Sequence, residues 1–138
     1  MGTEKTCAQR WKDHYDSRIE EIRTLWNLYK EDSEAYDDDL GNWIEYGLWF
    51  DYVSPGTFTD QDQGYFRYQI SWGGPSEEFR FYVNPDLSCY KIEFWFLDWY
   101  DGEGESIYGD DKNLMMEIYE GLKGCGTIQH LIDESRDN

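Results

Sequence analysis

Apolar residues first recur at helical spacing. Trp11, Tyr15, Ile19, Ile22, Trp26 and Tyr29 follow one another at steps of three or four, which predicts one long helix over residues 5–33 with a single buried stripe. Lys12, Asp16, Glu20, Glu21 and Arg23 fall between them and form a solvated face of mixed sign. From Trp43 the period changes to two. Ile44, Tyr46, Leu48, Phe50 and Tyr52 alternate with Glu45, Gly47, Trp49 and Asp51, as on a half-buried strand that Ser54-Pro55-Gly56 ends. A second strand follows the same rule through Phe66, Tyr68, Ile70 and Trp72, and a short third through Phe79, Phe81 and Val83, with turns at Gly73-Gly74-Pro75 and Asn84-Pro85-Asp86.

The fourth strand, Cys89 to Tyr100, is apolar on both sides: Tyr90, Ile92, Phe94 and Phe96 on one, Trp95, Leu97 and Trp99 on the other. Such a strand requires cover on both faces, either from the centre of a sheet or from a subunit interface. Asp101-Gly102-Glu103-Gly104-Glu105 reads as an acidic turn. Asp110 or Asp111 then caps a helix over 110–122 that packs through Leu114, Met115, Ile118, Tyr119 and Leu122. A short helical turn near Ile128, Leu131 and Ile132 precedes a polar tail, 133–138. The expected fold is α+β, one domain over residues 1–138: a long N-terminal helix, a four-stranded antiparallel meander over 43–100 and a C-terminal helix.

Charge sharpens the functional question. The chain has 30 Asp and Glu against 12 Lys and Arg, a net of −18. Residues 1–30 sum to +1, so the remaining 108 residues carry −19. The aromatic content of 19% separates this chain from acidic disordered sequences, which are poor in aromatics. The acids cluster in turns or at the ends of the expected elements: Asp37, Asp38 and Asp39 in the run EDSEAYDDD, Asp60 and Asp62, Glu77 and Glu78, Asp101, Glu103 and Glu105, and Asp110 and Asp111. These are the candidate partner-binding residues. Carboxylates in such arrays engage Arg and Lys through charge-assisted hydrogen bonds. Trp49, Trp95 and Trp99 are candidate anchors for a partner or for a homodimer, because interface centres favour Trp; the simpler alternative places them in a second core.

Other chemistries have little support. His14 and His130 stand outside any HExxH pattern, and GxSxG, GxGxxG and GxxxxGK[ST] are absent. Asp101, Glu103 and Glu105 alternate as a calcium loop begins, but Ser106 replaces its turn glycine and Lys112 its bidentate glutamate. Cys7, Cys89 and Cys125 are odd in number and widely spaced, so three reduced thiols are expected. Neither catalytic residues, cofactor nor metal is expected. Direct nucleic-acid binding is disfavoured by the sign of the surface. The sequence holds no apolar run of membrane-spanning length, and its first residues lack a signal-peptide core, so a cytoplasmic protein without membrane association is expected.

A small, acidic α+β chain without catalytic motifs resembles the phage and mobile-element inhibitors of bacterial defence, the anti-CRISPR and antirestriction DNA mimics. The resemblance lies in composition and size over the whole chain. The segments GYFRYQISWGGPSEEFRFYV and YKIEFWFLDWYDG are also similar to short proteins of bacteria and their mobile elements. What the first resemblance implies is an inhibitor in the cytoplasm of a bacterial host cell, whose partner is a basic nucleic-acid-binding protein or nuclease complex. It carries over no functional residue. Two alternatives share parts of the pattern: an immunity protein or antitoxin neutralising a basic toxin, and an aromatic-rich carbohydrate-binding domain.

Overall fold

A five-stranded antiparallel meander carries three longer helices on one of its faces. The computed structural model describes residues 7–59, 61–73, 75–98 and 101–137. The elements run α1 (Cys7–Glu31), α2 (Trp43–Tyr46), β1 (Trp49–Val53), β2 (Tyr65–Ser71), β3 (Ser76–Val83), β4 (Cys89–Asp98), β5 (Asp101–Ser106), α3 (Gly109–Gly124) and α4 (Thr127–Asp137), and the strands lie in sequence order. The protein is α+β.

The expected stripe of α1 is the buried one. Trp11, Tyr15, Ile19, Ile22 and Trp26 are buried in the core, with Tyr29 partly buried against it. They meet Phe66, Phe79, Phe81, Ile92, Phe94 and Phe96, all fully buried, and the apolar side of α3. Trp11 stacks on Tyr15 at 4.9 Å between ring centres, and its indole N–H donates to the Phe94 carbonyl at 2.6 Å. Burial of this aromatic layer supplies most of the driving force for folding.

Four departures from the sequence reading have local causes. The expected first strand begins late, because the Asn42 side chain accepts a hydrogen bond from the Glu45 N–H and caps a helical turn over 43–46. Gly47 then lets the Tyr68 ring sit against the backbone, where an added Cβ would lie 2.2 Å from it. The acidic segment after β4 is a fifth strand rather than a turn. Its glycines lie opposite large residues: Gly102 pairs with Leu97 and Gly104 with Trp95, so bulk on one strand is matched by its absence on the next.

At the C-terminal end, α3 starts after Tyr108, with no side chain capping it, so neither Asp110 nor Asp111 takes that role. The expected polar tail is helical to Asp137, with Ile128 and Ile132 buried. No helix among the described residues is long and apolar enough to cross a membrane.

Candidate functional site

Strand register decides where the expected anchors lie. Trp49, Gln69, Glu78, Trp95 and Gly104 form one row across all five strands, and Asp51, Arg67, Arg80, Glu93 and Ser106 form the next. Side chains in these rows point away from the helices, because Phe50, Tyr68, Phe79 and Phe94 occupy the intervening row on the helix side. Trp49 and Trp95 therefore share the helix-free face. Trp99 lies outside the described residues.

This face is an ordered array of rings and balanced charges. The Arg80 guanidinium sits 4.8 Å from the Tyr65 ring centre and 4.1 Å from that of Trp95, and its Nε donates to Glu78 at 2.7 Å. Arg67 is held by both oxygens of Asp51 at 3.0 and 2.7 Å. Glu93 accepts from the Tyr82 hydroxyl at 2.7 Å and from the Trp95 indole at 2.9 Å. Burial opposes the charge on Arg80, yet Glu78 and its neighbours raise its pKa overall, so it stays cationic. Stacking between two rings adds about 1 kcal/mol per face.

Trp95 lies flat because residue 104 is glycine; an added Cβ would come within 1.9 Å of the indole. Gly104→Ala is expected to lift the ring off the sheet, cost about 2 kcal/mol of stability and shift tryptophan emission to longer wavelength. Unfolding curves and fluorescence identical to those of the parent would refute this packing.

The β1–β2 loop covers part of the same face and leaves a cleft of about 500 Å³ between Phe58, Asp62, Tyr65, Arg80, Tyr82 and Trp95. Among the described residues the buried Tyr65 hydroxyl and Gln69 Oε1 have no hydrogen-bond partner. The loop itself is tightly bonded. The Gln61 amide donates to the carbonyls of Ser54 and Gln63, and Gln63 accepts from the Tyr90 hydroxyl at 2.5 Å.

The structure disperses the candidate acids and removes two of them from the surface. Glu77 and Glu78 are each 2% exposed, so they cannot serve as docking residues. Both lie within β3, and each is neutralised from inside: Glu77 by Arg18 at 2.8 Å, with a further hydrogen bond to His14 at 2.9 Å, and Glu78 by Arg80. Asp111 is half-buried and accepts from the Tyr15 hydroxyl at 2.5 Å and from Arg23 at 2.6 Å.

Asp37 is used within its own loop, where Oδ1 accepts from the N–H groups of Asp39 and Leu40. Asp38 and Asp39 are exposed beside it. Glu103 is half-buried and Glu105 exposed on β5, Asp110 is exposed in the first turn of α3, and Asp62 stands at the rim of the cleft. Asp60 and the Asp101 side chain lie outside what is described.

Sequence reasoning missed the Tyr65–Arg80–Trp95 stack and the role of Gly104. The only signal for either was the alternation of glycine with acid in 101–105. Among the described residues no group of three His, Cys, Asp or Glu side chains is placed to hold a metal ion. Cys89 and Cys125 are free, and burial raises the Cys89 thiol to about 11, so it stays protonated at neutral pH. Comparison with protein families, with curated proteins and with solved structures finds no match to this chain.

Proposed function

We propose that this chain is a non-enzymatic inhibitor that acts in the bacterial cytoplasm by placing its acidic surface in the basic nucleic-acid-binding cleft of a defence complex. The observation that carries this reading is the internal use of eight of the eleven Lys and Arg among the described residues, Lys112, Lys123 and Arg136 being the others. Arg10, Lys12, Arg18, Arg23, Lys30, Arg67, Arg80 and Lys91 are each bridged to a carboxylate of the same chain. Glu31, Asp32, Glu34, Asp38, Asp39, Asp62, Glu105 and Asp110 are exposed and, among the described residues, in no salt bridge. Positive groups thus stabilise the fold at short range, while the field felt by an approaching partner is set by unpaired carboxylates. A surface of that kind competes with phosphate backbones for Arg and Lys.

The test is capture from a bacterial lysate with and without duplex DNA, followed by measurement on the purified complex. Binding is expected to weaken steeply as salt rises and to be displaced by DNA. Asp38→Lys with Asp39→Lys, or Glu105→Lys with Asp110→Lys, should reduce affinity by about tenfold or more if that cluster docks. A partner that holds DNA and this chain simultaneously refutes the proposal.

A further inference from the structure

The two edges of the sheet are built differently. The edge formed by β5 carries Glu103 and Glu105 among glycines, the charged composition that discourages addition of another strand. The edge formed by β1 carries Trp49, Phe50, Tyr52 and Val53, and its only charge, Asp51, is taken by Arg67. Among the described residues only β2 pairs with β1, so its other side has no strand partner.

Next to the start of β1 an apolar groove of about 220 Å³ opens, lined by Trp43, Ile44, Leu48, Phe50, Ile118 and Leu122. Exposed apolar side chains surround its mouth. Ile44 is 67% exposed, Leu48 51% and Trp49 42%, and Trp49 is backed by the 67% exposed Trp72 at 5.9 Å. Helix α4 packs against β1, but no strand among the described residues occupies its outer side. Such an edge beside a side-chain pocket is how extended segments are bound by strand addition: main-chain bonds give affinity and the pocket gives specificity.

Charge selects the occupant. Glu45 is exposed next to the groove residue Ile44, and Asp38 and Asp39 precede Trp43 in a loop closed by backbone bonds between Asp37 and Gly41. A second copy would bring the same carboxylates against their equivalents, with −18 on each chain. A cationic segment meets the opposite sign at the start of this edge, beside the groove, where Asp38, Asp39 and Glu45 lie; Arg136 of α4 stands near Tyr52 toward its other end, which places the cationic contact at the groove. We infer that the β1 edge and its groove bind an extended, Lys- or Arg-bearing segment of a partner protein, one bulky apolar side chain of which fills the groove. This inference rests on the acidic-docking reading above and names where that contact is centred.

The experiment uses the full chain and three short peptides: one alternating Lys with Leu, the same peptide N-methylated along one backbone edge, and one alternating Glu with Leu. The Lys–Leu peptide should bind and slow hydrogen exchange at the amides of 49–53. The N-methylated form, with equal charge and side chains, should bind about tenfold more weakly or worse, because it cannot complete the ladder. Ile44→Glu and Leu48→Glu alter exposed side chains, and each should weaken the Lys–Leu peptide comparably.

Equal binding of the N-methylated peptide, or protection confined to β5, overturns the edge inference and leaves the acidic reading standing. Equal binding of the Glu–Leu peptide, or no binding of the Lys–Leu peptide at low salt, overturns both. A dimer whose formation protects 49–53 makes a second copy the occupant and overturns the assignment to a cationic partner.

Discussion

Glu77→Gln should lower the unfolding free energy at neutral pH by about 3 kcal/mol, near the bottom of the range for breaking a buried ion pair. The Glu77 carboxylate is almost wholly enclosed and accepts from Arg18 Nη2 at 2.8 Å, from the Ser71 hydroxyl at 2.8 Å and from His14 at 2.9 Å. Without its charge, the Arg18 guanidinium remains half-buried beside a neutral amide. Arg18 is 27% exposed and also reaches Glu21, so it recovers part of the loss through water and that second partner.

The pH dependence follows from the carboxyl's pKa. Burial alone would raise it, but the hydrogen bonds from Arg18 and Ser71, the charge of Arg18 and the bond to His14 together lower it below the ordinary 4.5. A folded-state value below the unfolded one contributes stability above about 4.5, and that contribution disappears as pH falls through the lowered value. The variant has no such group. Its deficit should therefore be largest at neutral pH and shrink toward zero in strong acid, as read by urea unfolding across pH. A deficit that stays constant to low pH would show that packing, not charge, explains the loss.

Phe94→Ala is the other large effect, about 4 kcal/mol of stability. Its ring is fully buried in the middle of β4, 4.8 Å from Phe79, 5.6 Å from Tyr15 and 5.8 Å from Trp11 by ring centres. The cavity would open where strand and helix side chains interlock, and neighbouring rings cannot close it without leaving their own contacts. The urea midpoint should fall with little change in slope. A loss under about 1 kcal/mol would mean that the core collapses around the gap more freely than this packing allows.

Periodicity revealed the parts of the fold whose burial is one-sided. The α1 stripe and the helix-facing residues of β2, β3 and β4 are legible because solvent and core alternate at a fixed period. β5 was hidden because it contributes no apolar side chains; its information lies in what Trp95 and Leu97 require from the neighbouring strand. The 43–46 turn was hidden because an Asn cap and a following glycine outweigh a period-two pattern only in context. Acid runs gave the sign of the surface but not the fate of each carboxylate. Glu77 and Glu78 sit in a run that looks like a solvated turn, and only Arg18 and Arg80, from distant or alternate positions, show that they are internal. The aromatic pattern placed Trp95 opposite the core-facing residues without indicating that Arg80 would stack on it.

The long-range partners of α1 also constrain the order in which the molecule can be completed. Arg10, Arg18, Arg23 and Lys30 are bridged to Asp98, Glu77, Asp111 and Glu117, so α1 finds these contacts only after about 60 to 90 further residues have left the ribosome. At ordinary rates of synthesis, about 5–20 residues per second, its stripe of Trp, Tyr and Ile stays uncovered for seconds. During that interval the near-balance of acid and base over residues 1–30 gives the nascent segment little charge repulsion of its own, and the strongly acidic remainder arrives as both its cover and its solubiliser.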